Sequence, residues 1–204
     1  MKLGILNYKA CNLSSVYNTL YNLGYDPVVI NKSKDFDKVK KLIIPGVGSA
    51  KHCLEYLKQN KIFDEIIKYE KLGMPILGIC LGMQIFAEKL YEHGESDGLG
   101  FIKGKIAKLN LKSKFNIGWK NIKLKKNDKR LFDKISENPT FYFCHSYHLE
   151  LTKENYRYLV AHIDLNKEIP SIICKDNILG VQFHPEKSQN NGIKFISNFI
   201  NNFK

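Results

Sequence analysis

The stretch PILGICLGMQ, residues 75–84, places one cysteine between two glycines directly after a short apolar run. The run opens with Pro75 and predicts a buried strand, whereas the following residues, LGMQIFAEKL, carry apolar side chains at helical spacing. A potential nucleophile flanked by small residues on a sharp strand-to-helix turn is typical of a nucleophile elbow. The glycines permit the turn and the close approach of other groups, and a helix N-terminus would stabilise a thiolate at Cys80.

The composition predicts a single globular domain over residues 1–204, because 44% of the residues are hydrophobic and 25% are charged. No apolar run approaches the ~18 residues of a membrane span, and the first apolar segment is too short for a signal peptide. We therefore expect a cytoplasmic protein that does not bind a membrane. The five cysteines are odd in number and irregularly spaced, and no secretion signal is predicted, so we expect no disulfide framework. They form no CxxC pair, so we also expect no thiolate zinc site. They are Cys11, Cys53, Cys80, Cys144 and Cys174.

The net charge of +12 raises the question of nucleic-acid binding. Nearly all the basic residues are lysines, however, and Arg130 and Arg157 are the only arginines. Phosphate and base recognition favours the arginine fork, so we do not expect a nucleic-acid partner. The basic run KNIKLKKNDKR, residues 120–130, is predicted to be a solvated hairpin edge or loop. A basic face of this kind could steer an acidic partner or a phosphorylated metabolite.

The order of predicted elements indicates an α/β protein. Strands are predicted near residues 2–7, 27–30, 41–45 and 75–79, and helices near 12–23, 50–70 and 81–91. Such alternation implies a parallel sheet covered by helices. Strands dominate from about residue 100 to 183, and an amphipathic helix is predicted over 191–203. We predict a three-layer α/β/α fold with a central mixed, mostly parallel sheet, and active sites in such folds lie at the carboxyl ends of strands.

A cysteine nucleophile needs a base, and the base needs an orienting acid. His184 follows the predicted strand ILGVQF in the tripeptide HPE. Pro185 fixes the turn there, so Glu186 can fold back to a ring nitrogen of His184. His145 and His148 could indicate a metal site, but at this spacing in one strand they would point to opposite faces. We therefore expect no metal.

An acyl-transfer site also needs an oxyanion hole. The segment Pro45-Gly46-Val47-Gly48 follows a predicted strand, and its glycines leave backbone N–H groups free to turn toward a substrate. The amide of Leu81, next to the candidate nucleophile, is the natural second donor. A glycine-flanked peptide can flip at small cost, so we expect an N–H of this segment to turn inward when a partner binds.

Three segments together carry a resemblance to a known family. PGVG, GICLGMQ and QFHPEKSQ occur in the order typical of the class I, or triad, glutamine amidotransferases, and the resemblance covers most of the chain. HPEKSQ, FCHSYH and NIGWK further resemble the glutaminase subunits of imidazole glycerol phosphate synthase. Those subunits hydrolyse L-glutamine without a cofactor and pass ammonia to a (β/α)8-barrel cyclase. In that heterodimer the cyclase makes imidazole glycerol phosphate and AICAR in histidine biosynthesis.

The resemblance implies a role for each matching residue. Cys80 looks like the nucleophile, His184 like the base and later the acid, and Glu186 like the group that orients His184. The amides of Val47 and Leu81, with Gly48 in the same turn, are similar to an oxyanion hole.

The resemblance also implies how the substrate and the partner are held. Gln84 resembles a family residue that helps to hold glutamine, and Ser146 and Tyr147 resemble the strand that clamps its amino-acid end. Three residues resemble those at the partner interface and the mouth of the ammonia route: Trp119, Tyr142 and Lys187.

Two stretches depart from the family pattern, and both are expected on loops that meet a partner. The usual D-Y-G-x-G-N-L-R-S opening is replaced at residues 7–15, without its two glycines and its arginine, and the usual H-M-G-W-N is replaced at residues 116–120. The acceptor of the ammonia therefore stays open. One alternative is a paralogous glutaminase that supplies a related synthase acting on another metabolite, such as a surface sugar. An alternative from another class is a non-catalytic thiol sensor on the same fold, with Cys80 oxidised rather than acylated.

Overall fold

The computed structural model describes residues 2–9, 12–126 and 128–204, so Cys11 lies outside the described residues. The strands are β1 (Leu3–Leu6), β2 (Val28–Ile30), β3 (Lys41–Ile44), β4 (Ile76–Ile79), β5 (Ala87–Leu90), β6 (Ser96–Asp97), β7 (Ile102–Lys108), β8 (Asn116–Asn121), β9 (Lys123–Leu124), β10 (Thr140–His145), β11 (Tyr147–Leu151), β12 (Leu159–Asp164), β13 (Glu168–Lys175) and β14 (Ile178–Val181). The α-helices are α1 (Leu13–Asn22), α2 (Ala50–Gln59), α3 (Ile62–Lys71), α4 (Leu81–Gln84), α5 (Lys129–Phe132) and α6 (Gln189–Asn202). Short 3₁₀ helices span Ser33–Lys38, Asn155–Tyr158 and Pro185–Lys187. Within these ranges, no helix is long and apolar enough to cross a membrane.

An eight-stranded sheet in the order β2-β1-β3-β4-β14-β13-β12-β9 forms the centre of the molecule. The strands from β2 to β14 in this order pair in parallel. The remaining three continue the sheet in antiparallel fashion. The sheet is therefore mixed and mostly parallel along its first five strands, as predicted.

Helices cover both faces of this sheet, and alternate strand residues face opposite layers. In β3, Leu42 and Ile44 belong to the core that also takes up apolar residues of α2 and α3. Ile43 between them belongs to the other core, with apolar residues of α1 and α6. Because both faces are covered, the central strands are continuous apolar runs rather than alternating ones. The three-layer α/β/α prediction is confirmed.

Two smaller sheets flank the carboxyl ends of the central strands. One has the order β11-β7-β5-β6, and the other is the antiparallel ribbon of β8 and β10. Residues 116–120 are expected on a loop, but they lie in strand β8 of this ribbon. The strand forms because β8 pairs with β10 along its whole length, and cross-strand pairs of this kind stabilise a sheet.

The predicted helix over residues 81–91 is wrong in its length. Helix α4 ends at Gln84, and the chain then enters strand β5. The apolar residues of this segment fit both the helical and the strand period, so the pattern alone does not distinguish a helix from a strand. Pairing decides the matter, because the carbonyl of Ile85 accepts the Leu99 N–H at 2.7 Å and β5 pairs with β7.

The predicted helix over residues 50–70 is two helices. Helix α2 ends at Gln59, and Lys61 adopts a left-handed φ of 58° before α3 begins. In the basic run, β9 lies at the edge of the central sheet, in line with the expected edge, whereas helix α5 begins at Lys129 in place of a loop.

A buried lysine ties the sheet to helix α6. Lys41, at the start of β3, is 5% exposed, and its Nζ donates to the carbonyls of Phe199 at 3.0 Å and Ile200 at 2.8 Å. It also donates to the carbonyl of Phe203. Burial lowers the pKa of this ammonium, with a further contribution from the charge of Lys204. Carbonyls in the last turn of a helix have no intrahelical partner, and a cation that binds them stabilises the helix end.

Candidate active site

The turn at Cys80 is held by close backbone packing. Cys80 has φ 51° and ψ −101°, a strained conformation for a non-glycine residue, and its N–H donates to the Val181 carbonyl at 2.7 Å. A Cβ atom at Gly82 would lie 2.0 Å from the Ile44 carbonyl oxygen, and one at Gly78 would lie 2.6 Å from that of Gly82. Both glycines are therefore required by contact, and the sharp turn predicted from the sequence is present.

A histidine and a carboxylate form a buried pair near this turn. His184 Nδ1 lies 2.8 Å from Glu186 Oε1, and their side chains are 2% and 1% exposed. Pro185 begins the 3₁₀ helix that folds the carboxylate back, as its fixed φ predicts. The His184 N–H donates to the Tyr142 carbonyl at 2.9 Å, and Ser188 Oγ donates to the His184 carbonyl at 2.6 Å. The backbone of His184 is thus anchored to strand β10 and to its own turn, while its ring is held by Glu186.

His184 and Cys80 interact directly. Burial disfavours the charged imidazole, but a hydrogen bond to Cys80 and the negative charge of its thiolate, followed by the same two contributions from Glu186, outweigh burial and raise the pKa of His184 to about 10. With Nδ1 bound to Glu186, the other ring nitrogen is the one left for Cys80. A protonated imidazole beside sulfur is the arrangement that holds a cysteine as a thiolate.

One cavity of about 250 Å³ gathers most of the predicted site residues. Its wall consists of Val47, Gly48, Cys80, Leu81, Gln84, Glu92, Cys144, His145, Ser146, Tyr147, His184 and Lys187. Glu186 stands behind His184 rather than on the wall. The cavity suits a ligand of the size of an amino acid and lies at the carboxyl ends of β3 and β4, where the fold class predicts a site.

A chain of buried amides runs through the floor of this site. Gln84 Nε2 donates to the Tyr147 carbonyl at 2.9 Å and lies 3.3 Å from Gln182 Oε1. Gln182 Nε2 in turn lies 3.5 Å from Cys80 Sγ. His145 Nδ1 donates to the same Tyr147 carbonyl at 2.8 Å. The segment that carries Tyr147 is therefore fixed from two sides.

His145 is a neutral structural donor rather than a metal ligand. Burial is the main cause that lowers its pKa to about 4. Asn116 Nδ2 donates to its Nε2 at 2.9 Å, which leaves the proton on Nδ1. His148, which is expected on the same strand, lies on β11 in a different sheet, while His145 ends β10. Nowhere in the described ranges do three or more His, Cys, Asp or Glu side chains come together as a metal site.

The glycine-containing turn after β3 is pinned at both ends. Tyr8 Oη donates to the Pro45 carbonyl at 2.8 Å, and Glu92 Oε2 accepts the Ala50 N–H at 2.7 Å. Between these points Gly48 has φ 89°, in the region that favours glycine. Which N–H of this turn serves an oxyanion stays a prediction. A proline at Gly48 would be incompatible with this φ, so it would disturb the turn even without a partner.

Trp119 and Tyr142 lie outside the cavity, on the ribbon of β8 and β10. They face each other across the two strands, with ring centroids 5.9 Å apart in an edge-to-face arrangement. Trp119 is 45% exposed, so it is not a core residue. Lys187, by contrast, lies on the cavity wall.

Sequence reasoning missed two polar groups of the site. Gln182 lies two residues before His184 in an extended segment, so period-two alternation could have placed both side chains on one face. Glu92 carries no such signal. It lies in an irregular turn after β5, and only the pairing of β5 with β7 brings it to the cavity.

Comparison with known proteins gives a consistent result. The sequence profile of the family Glutamine amidotransferase class-I matches residues 5–203. The imidazole glycerol phosphate synthase subunit HisH of Caldanaerobacter subterraneus is 36% identical over 198 residues, which cover 97% of this chain and 96% of that protein. The subunit HisH 1 of Campylobacter jejuni is 39% identical over 203 residues, covering 97% of this chain and 98% of that one.

Solved structures share the fold. PurLQS from Thermotoga maritima superposes with a TM-score of 0.79 at 21% identity, over 100% of this chain and 99% of that chain. The crystal structure of a glutamine amidotransferase gives a TM-score of 0.75 at 17% identity, over 97% of each chain.

The His184–Cys80 contact predicts an unusual titration. We expect the His184 ring to stay protonated until the pH approaches 10, because its raised pKa depends first on Cys80 and then on Glu186. Replacing Cys80 by alanine removes the larger of these contributions and leaves that of Glu186, so the titration of His184 should move to lower pH. Histidine side-chain NMR as a function of pH measures the titration of His184 in the unsubstituted protein and in Cys80→Ala.

Cys174→Ala is the matched control for this titration. Cys174 is half-buried on β13, and desolvation raises its pKa to about 11. Its loss should leave the His184 resonances unchanged. Titration of His184 near pH 6.5 in the unsubstituted protein would contradict the proposed ion pair.

Proposed function

The chain belongs to the class-I glutamine amidotransferase family, and on this premise we propose that it is the glutaminase subunit of an imidazole glycerol phosphate synthase in histidine biosynthesis. The observation that carries the proposal is the buried His184–Glu186 pair that closes on Cys80 at the strained turn. We further propose that residues 1–204 act as one glutaminase domain. The relatives named above are all HisH subunits, which favours the histidine pathway over the surface-sugar and thiol-sensor alternatives.

The residues support acyl transfer in two steps. The Cys80 thiolate attacks the side-chain amide carbon of glutamine, and His184 gives its proton to the departing ammonia, which leaves a glutamyl thioester. Neutral His184 then takes a proton from water as the water attacks the thioester, and glutamate and the thiolate are released. Glu186 stabilises the charged imidazole in both steps.

The cavity offers matching groups for the amino-acid end of glutamine. Glu92 is the only carboxylate on the described cavity wall, so it is the proposed partner of the substrate ammonium. Gln84 uses its Nε2 for Tyr147 and Gln182, which leaves its Oε1 for the substrate. We propose that the backbone of Ser146 and Tyr147 holds the rest of the amino-acid end of glutamine.

An exposed apolar stripe marks the proposed docking face for the cyclase. Phe115, directly before β8, and Ile117 and Trp119 on β8 occupy every second position, with exposures of 54%, 57% and 45%. Three such neighbours on one face are unusual unless a partner covers them. Across the ribbon, Ile117 pairs with Cys144, which also lies on the cavity wall. The stripe thus leads from the surface to the site, as transfer of ammonia to a (β/α)8-barrel cyclase requires.

The central test of the proposed function removes the nucleophile. Glutamate release should be low for the chain alone and higher with the cyclase and its ligand, since the thioester and the ammonia must be shielded. Cys80→Ala should lower the stimulated rate at least about a thousandfold. Cys174→Ala should retain it. A Cys80→Ala rate within about tenfold of the unsubstituted protein would overturn the assignment.

Glu92→Gln tests how glutamine is recognised. The glutamine side chain keeps an acceptor for the Ala50 N–H but loses the negative charge, so KM should rise about 10- to 100-fold while kcat changes little. Glu88→Gln, at an exposed position on β5, is the control and should leave both constants unchanged. An unchanged KM in Glu92→Gln would show that the ammonium binds elsewhere.

Trp119→Ala tests the docking face. Removal of a central aromatic anchor should weaken binding of the cyclase at least about tenfold, as measured by titration calorimetry. Alkylation of Cys80 in the chain alone should not change. Leu72→Ala serves as the control, because Leu72 is 64% exposed but precedes β4, at the opposite end of that strand from Cys80. Equal affinities of Trp119→Ala and Leu72→Ala for the cyclase would show that the docking face does not lie on β8.

A further inference from the structure

Gln182 is held against the sulfur of Cys80 by its backbone neighbours. The residue is fully buried, and its Nε2 lies 3.5 Å from Cys80 Sγ. The preceding residue, Val181, accepts the Cys80 N–H at 2.7 Å, and the Gln182 N–H donates to the Ser171 carbonyl at 2.9 Å. These bonds fix the backbone that carries the amide, and the contacts of the amide with Gln84 and Cys80 hold its side chain.

The orientation of the Gln182 amide is fixed by a carbonyl that can only accept. The Tyr147 carbonyl requires the Gln84 amide to present its Nε2. That same nitrogen lies 3.3 Å from Gln182 Oε1, which must accept from it. A reversed Gln182 would set two NH₂ groups against each other, so Gln182 has to present an N–H to Cys80.

We propose that Gln182 is a positioning residue of the glutaminase reaction, whose side-chain N–H donates to Cys80 Sγ and favours the thiolate over the thiol. A hydrogen bond to an anion is about twice as strong as one to a neutral acceptor, and a neutral thiol is only a weak acceptor. Helix α4 has four residues, too few for a large dipole. The thiolate of Cys80 must therefore be stabilised mainly by individual hydrogen-bond donors rather than by a helix N-terminus, and Gln182 is one of these donors.

The same donor serves both halves of the reaction. The thiolate is the attacking group when the thioester forms and the leaving group when the thioester is hydrolysed. A thioester sulfur is a poorer acceptor, so the hydrogen bond from Gln182 is strongest in the free enzyme and as the thiolate departs. This inference rests on the proposed function, since it takes Cys80 as the nucleophile.

Gln182→Met tests the proposal through the pH dependence of Cys80 alkylation. Methionine keeps the length and loses the donor. With iodoacetamide and mass spectrometry of the Cys80 peptide, the pH midpoint of alkylation should rise by about one unit. Stimulated kcat should fall about tenfold while KM for glutamine changes by less than about threefold. A midpoint within about 0.3 units of the unsubstituted protein would overturn the proposal.

The substitution leaves the other charged and titratable groups around Cys80 in place, so a shifted midpoint reports on the amide. These groups lie on the segment after β14, on β10, and on the cavity wall: His184, Glu186, His145, Cys144, Tyr147, Lys187 and Glu92.

Asn198→Leu is the matched control for loss of a buried amide. Asn198 Nδ2 donates to the carbonyls of Leu131 and Asp133, both at 2.9 Å, and none of these residues lies on the cavity wall. This variant should lose stability without a shift of the alkylation midpoint. An equal shift in both variants would assign the effect to general loosening and overturn the proposal.

A second measurement does not depend on the folding of Gln182→Met. In the unsubstituted protein, the NMR resonances of the Gln182 side-chain amide should move with the same pH midpoint as Cys80 alkylation, and this dependence should vanish in Cys80→Ala. Gln182 amide resonances that do not shift with pH would overturn the proposal. The alkylation and NMR measurements are made without glutamine, so they test the role of Gln182 alone. The glutaminase assignment is tested separately by the glutamate-release assay.

Discussion

The close approach of the Cys80 turn to strand β3 is the constraint on which the rest of the site depends. Gly82 lies so near the Ile44 carbonyl that any side chain would overlap it, and this contact presses the turn against the sheet. The strained φ of Cys80 persists because the surrounding backbone leaves no alternative. The sulfur is thereby presented at the carboxyl edge of the sheet, where His184 and the glycine-containing turn meet it.

Around that fixed point most buried polar groups have a defined hydrogen-bond partner, although Ser49 Oγ and Glu186 Oε2 have none among the described residues. The Tyr147 carbonyl accepts N–H groups from both Gln84 and His145, and it thereby fixes the orientation of both side chains. His145 is itself oriented by Asn116 on the ribbon that bears the apolar stripe. A continuous set of hydrogen bonds thus joins the proposed docking ribbon to the environment of Cys80. Buried networks of this kind are rigid when every member is satisfied.

The sequence predicted those parts of the molecule that depend on local chemistry. The elbow glycines, Pro185 and the HPE turn each fix the backbone near themselves, so the strands of the parallel sheet and the pairing of His184 with Glu186 could be foreseen. Helix α4 was overestimated because the residues after Gln84 satisfy both periods and only pairing with β7 selects the strand. Glu92 could not be found for the same reason, since its position is set by a partner strand distant in the sequence.

The bond from Lys41 to the carbonyls of α6 has a consequence for how the protein is made. Lys41 sits in the third strand of the central sheet, yet the groups that satisfy its ammonium lie about 160 residues later. During synthesis the Lys41 ammonium lacks these carbonyl partners until residues 199–203 have been added. A proteolytic cut before residue 199 would remove the same partners, so it would weaken the interior rather than trim a surface helix.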